Sequence, residues 1–173
     1  MGTLNLGSAP LSATGANWND APPGTVIQYV QATHTVMTVR FDTTSTSYVD
    51  SGYSITITPR NTSSQILIYA NISCYCTNNR YGYLRVYKST AGRYVNVEGG
   101  VTNDGMYESA MGNASQWGML AIEAIDLPNS TSAQTYKIYA RSSNTNTTFT
   151  MAWTTSAPNT MNMNFMSATE YSA

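Results

Sequence analysis

The stretch Tyr53-Ser54-Ile55-Thr56-Ile57-Thr58-Pro59 decides the fold class. Successive side chains of an extended chain point to opposite faces. Tyr53, Ile55 and Ile57 therefore share one face, and Ser54, Thr56 and Thr58 share the other. Alternation of this kind marks a strand with one side on a core. Pro59 has no N–H to donate and ends the run. Arg60-Asn61-Thr62-Ser63-Ser64 then reads as a turn.

The same grammar extends in both directions. Upstream, Val26, Tyr29 and Val30 open a strand, and Val36 to Phe41 continues the β pattern. Downstream, Gln65 to Cys76 is apolar almost throughout its early part, as in a central strand buried on both faces. Tyr81 to Lys88 alternates again, and Tyr94 to Val97 pairs back on it as a hairpin across Ala91-Gly92. Residues 99–114 are crowded with Gly and Asn and read as one long loop. Trp117 to Leu127, Gln134 to Arg141, Thr147 to Trp153 and Met161 to Met166 supply further strands. Roughly nine or ten strands result, with turns at about 8–12-residue spacing and no helical period. The expected architecture is all-β: an antiparallel, jelly-roll-like β-sandwich over residues 24–173. Residues 1–23 carry Pro10, Pro22 and Pro23 and no sustained period. They are expected to form an extended N-terminal arm anchored by Leu4, Leu6, Leu11 and Trp18.

Composition narrows the function. Of 173 residues only 10% are charged, and the formal net charge is −1. Ser, Thr and Asn fill the gap, at roughly a third of the chain, against a usual charged share of about 25%. Such a surface suits hydrogen bonding and close packing with neighbouring copies, not long-range steering of a charged ligand. Nucleic acid is not an expected partner, because phosphate binding needs clustered Lys and Arg. No window of about 18 apolar residues exists to span a membrane. The opening MGTLNLGSAP lacks the basic and apolar regions of a signal peptide. The Asn-x-Ser/Thr sites are accordingly expected to be unmodified.

Catalytic chemistry finds little purchase. His34 is the sole histidine, and no nucleophile elbow accompanies it. Glu98, Asp104 and Glu108 bracket the glycine-rich segment, but nothing in their spacing marks a glycosidase pair or a calcium loop. Cys74 and Cys76 lie two apart on one strand face and are expected as reduced, buried thiols. No catalytic set, metal site or cofactor is expected. The aromatics carry two open readings. There are 13 Tyr against 3 Phe, and Tyr81, Tyr83 and Tyr87 share a strand face. Tyrosine serves cores and subunit interfaces, and it also stacks on sugars. The exposed binding loop expected for the second use contains Glu98, Asp104, Tyr107 and Glu108, with Trp117 beside it.

Several stretches carry a resemblance: Pro23 to Ala32, Ser47 to Pro59, Thr62 to Ile68, and the closing Met161 to Glu170. Together they resemble a β-sandwich domain of tailed-bacteriophage virion surface proteins, in particular tail-fibre-like proteins of aquatic phages. The likeness spans about residues 23 to 171. It implies a virion location after assembly in the host cytoplasm, and a homo-oligomer, with a trimer favoured. It also implies capsid or tail proteins as partners and a host-surface glycan as an alternative ligand. It defines no catalytic residue. With Met1 close to the sandwich, a head-decorating (cement) protein or a small fibre or tail component is expected.

Overall fold

A computed structural model describes residues 21–32, 39–77, 80–95, 107–110, 116–151 and 164–173, with the backbone alone at 107–110, 116 and 117. The arm anchors Leu4, Leu6, Leu11 and Trp18 lie outside the described residues, as do His34, Glu98 and Asp104. Among the described residues there is no helix, and eleven strands run antiparallel in two sheets.

The strands are β1 (Val26–Gln31), β2 (Phe41–Thr43), β3 (Val49–Ile57), β4 (Gln65–Cys76), β5 (Tyr81–Lys88) and β6 (Arg93–Tyr94). They continue with β7 (Tyr107–Ala110), β8 (Gln116–Asp126), β9 (Gln134–Ser142), β10 (Phe149–Met151) and β11 (Phe165–Tyr171). Several of them are halves of longer strands. Along one edge of β4, β11 pairs with Gln65 to Asn71 and β10 with Cys74 to Cys76, end to end. Outside them, β1 pairs with β11 and β2 with β10, so both lines break at the same level. The first sheet thus has four lines in the order β1/β2, β10/β11, β4, β8. The second has β3, β9, β5 and then β6 and β7 end to end. Eight lines in two four-stranded sheets with this order make a double-sheet jelly roll.

The core lies between the sheets. Tyr53, Ile55 and Ile57 from β3 face Ile66, Ile68 and Ile72 from β4, and none of them is more than 4% exposed. Burying each large aliphatic side chain stabilises by about 1.5–3 kcal/mol. Tyr136, Ile138 and Ala140 of β9 are fully buried, as their alternation required. Cys74 and Cys76 are free, buried thiols on the inner face.

Four expectations need correction. Among the described residues there are eleven strands, because the lines β1/β2, β10/β11 and β6/β7 are each interrupted. The segment 99–114 is not all loop, since β7 lies within it. The closing strand is described from Phe165 and runs on past Met166 to Tyr171, while residues 161–163 lie outside the described residues. On β4 only the even-numbered side is buried; the odd-numbered side is half-buried and faces outward.

Polar side chains tie turns to strands at the ends of the sandwich. Glu170 of β11 is fully buried. Its carboxylate accepts the Arg60 N–H at 2.7 Å and the Gln28 side-chain amide at 2.5 Å. This pins the β3–β4 turn against β1. Of the expected arm, residues 21–23 are described, and the Pro22 carbonyl accepts hydrogen bonds from the Thr25 and Ser172 hydroxyls. In β3 the pairing with β9 slips between Asp50 and Ser54. Gly52 takes up the slip at φ 82°, a conformation that a side chain would strain.

Candidate functional site

The most distinctive chemistry sits on the outward face of the second sheet. Along β5 the inward positions are Gly82, Leu84, Val86 and Lys88, so Tyr81, Tyr83, Arg85 and Tyr87 face outward, half-buried. Register then brings two strands together. Tyr83 lies opposite Arg141, Arg85 opposite Tyr139, and Tyr87 opposite Lys137 on β9. Tyr94 of β6 lies opposite Tyr87. Tyr48, just before β3, completes the group.

The side chains interleave. The Arg141 guanidinium lies 3.9 Å from the Tyr83 ring centre and 5.2 Å from that of Tyr48. The Arg85 guanidinium lies 4.4 Å from Tyr48 and 4.7 Å from Tyr94. Rings pack on rings as well: Tyr87 is 4.5 Å from Tyr139 and 5.2 Å from Tyr94. A cation over a ring contributes about 0.5–1 kcal/mol at an exposed site and about 2 when desolvated. The array therefore holds its own geometry before anything binds. Arg141 has no carboxylate partner among the described residues, whereas Lys137 is paired with Asp50 at 2.6 Å. Burial raises the pKa of Tyr94 and of Tyr139 above the ordinary tyrosine value, so both phenols stay neutral donors. The Tyr48 hydroxyl is shielded from solvent and has no hydrogen-bond partner among the described residues.

This arrangement holds the Arg141 guanidinium on a firm aromatic layer, with Arg85 Nε and Nη2 shielded from solvent within it. Stacked guanidinium keeps its in-plane N–H groups for acceptors such as carboxylate or hydroxyl oxygen. Tyr and Arg are also the residues over-represented where proteins recognise one another.

The structure removes the core from the readings of the tyrosines and leaves subunit interface and sugar stacking both open. Tyr81, Tyr83 and Tyr87 do share a face, and it points away from the core. Of the expected binding loop, Glu98 and Asp104 lie outside the described residues, and the backbone alone places the rest. Tyr107 and Glu108 lie on β7, opposite Leu84 and Tyr83 at the edge of the second sheet. Trp117 lies on β8, opposite Tyr75 in the first sheet. Arg85, Arg141 and Tyr48 were not anticipated as site residues. The alternation Tyr83-x-Arg85-x-Tyr87 contains a signal for Arg85, and Tyr139-x-Arg141 one for Arg141. The meeting of Tyr48 with both depends on strand register alone.

Neither the scan against protein-family models nor the search of curated proteins finds a match to this chain.

Proposed function

We propose that this chain is a non-enzymatic structural protein of a tailed-phage particle surface. In this reading it is a head-decorating or cement protein, or a small fibre or tail component, attached through residues 1–23. The observation that carries the proposal is how the buried charged groups are used. Lys88, Asp126 and Glu170 are each bonded to partners that hold strands and turns in place, which leaves the two outward sheet faces as the working surfaces. The low overall charge of the chain and the likeness to virion surface domains support the same conclusion. Deleting residues 2–20 is expected to abolish incorporation into particles while the cooperative unfolding transition remains. Full incorporation of the shortened protein would refute the attachment role.

A second reading, recognition of a host-surface glycan, is favoured by the Tyr–Arg array on the second sheet. Pyranose rings stack on aromatic faces while their hydroxyl and carboxylate groups take planar donors. On this reading, Tyr83→Ala and Arg141→Ala each lower adsorption to host cells or binding on a glycan array by tenfold or more. Wild-type protein that binds no glycan and no cell would exclude it.

A further inference from the structure

Resting on the glycan reading above, we propose that the Tyr–Arg array takes an acidic sugar, with the carboxylate of a uronic- or sialic-type unit on Arg141. The charges around the array single out that residue.

Lys137 is already engaged, because Asp50 holds its ammonium at 2.6 Å. Lys88 points inward, onto buried Asp126. Arg85 lies within the aromatic layer, between the Tyr48 and Tyr94 rings, with Nε and Nη2 shielded from solvent. Arg141 differs from all three. Its guanidinium stacks 3.9 Å from the Tyr83 ring centre, the residue is half-buried, and no described carboxylate forms an ion pair with it. By register, Glu108 stands opposite Tyr83 on β7, one line further out than Arg141.

The chemistry of the ligand follows. Stacking on a ring fixes the guanidinium plane and leaves its N–H edges, which match the two oxygens of a carboxylate. A side chain held in place beforehand loses little freedom on binding. Tyr83, opposite Arg141, and Tyr139, two positions before it, belong to the same outward face. Their rings suit the apolar side of a pyranose, and their phenols suit its hydroxyl groups. Three strand lines at about 4.8 Å spacing make the array about 10–15 Å across, room for a short oligosaccharide. One forked cation suits one carboxylate. A polyanion such as nucleic acid needs a row of cations, and this chain has 8 Lys and Arg against 9 Asp and Glu.

The test is calorimetric titration of the full chain with two acidic sugars, each beside a neutral parent. Oligogalacturonate is compared with its carboxyl-reduced form, and sialyl-lactose with lactose. At least one acidic member is expected to bind tenfold or more tighter than its parent. Arg141→Lys keeps the charge and loses the fork; it is expected to abolish that preference while neutral-sugar binding and the unfolding midpoint stay at wild-type values. Glu108→Gln is expected to leave the preference equal or larger. Poly-glutamate, which has carboxylates and no pyranose, is expected to bind at least tenfold more weakly than the preferred acidic sugar. Acidic and neutral sugars bound equally well overturn the inference and leave the glycan reading standing. A preference that survives Arg141→Lys, or poly-glutamate bound as tightly as the sugar, overturns it too. Wild-type protein that binds no sugar, acidic or neutral, removes both the inference and the reading beneath it.

Discussion

Gly82 and Phe149 meet across the sandwich so closely that a β-carbon on Gly82 would lie 1.9 Å from Phe149 Cδ2. Gly82 belongs to β5 in the second sheet, and Phe149 to β10 in the first. The ring, 1% exposed, fills the space that any other residue at position 82 would need. Gly82→Ala is therefore expected to destabilise by about 3 kcal/mol through overpacking. Denaturant midpoints would measure it. Phe149→Ala removes the obstacle at its own cost of about 3–5 kcal/mol. In the double variant, the additional cost of Gly82→Ala is expected to shrink toward zero, and simple additivity would contradict the contact.

Asp126 ties the sheets together at one end. Its carboxylate accepts Lys88 Nζ at 2.6 Å, the Tyr136 hydroxyl at 2.8 Å and Arg93 at 3.3 Å. Lys88 and Asp126 are both nearly inaccessible. Asp126→Ala leaves an uncompensated buried ammonium and is expected to cost about 3–5 kcal/mol. Replacing Lys88 and Asp126 together by Met and Leu is expected to recover most of that loss. Urea titration of the single and double variants distinguishes a pair held for its charge from one held for packing.

Glu170 makes a different prediction. It is a buried carboxylate whose partners among the described residues are backbone N–H groups and an amide. Glu170→Ala removes the acceptor of the Arg60 N–H and one of two acceptors of the Gln28 amide, which keeps the Thr58 carbonyl, and is expected to cost about 1–3 kcal/mol. Hydrogen exchange is expected to rise first at Arg60 and Asn61, in the turn that the carboxylate caps. Unchanged protection there would show that the turn holds itself.

Alkaline pH is expected to weaken the fold. Burial pushes the Cys76 thiol up to about 11, and burial followed by its neighbour Cys76 raises Cys74 well above the ordinary range. An unfolded thiol ionises near about 8.5. Between these values the unfolded chain has lost protons that the native state keeps, so stability falls as pH rises. The contribution is whole below about 8.5 and lost as pH climbs through about 11. Burial also raises the phenols of Tyr53 and Tyr136, which extends the loss above about pH 10. A denaturation series across this window is expected to show the decline, and Cys76→Val is expected to reduce it.

Alternation is a local property, and it was readable wherever inward residues were large and outward ones polar. Tyr53 to Ile57, Gln134 to Arg141 and the limits of β4 and β5 come directly from the chain. The alternation of the closing strand was legible only as far as Met166, because its inward line is Met166, Ala168 and Glu170, with Ser167 also buried. Small and polar residues there hide the period, and pairing with β4 locates the strand. Lys88 ends an alternating strand and looks like a surface residue; Asp126, 38 positions away, makes its burial tolerable.

The sequence by itself determined an all-β chain, its main strands and which residues of each strand share a face. Side-chain period and turn chemistry act over a few neighbours, so they are written locally. Only the tertiary structure decided that the Tyr face of β5 points away from the core. It alone joined β10 to β11 along β4 and stacked Arg85 and Arg141 among tyrosines. Those outcomes depend on pairing between residues far apart in the chain, and loop closure and interstrand hydrogen bonding select that pairing globally.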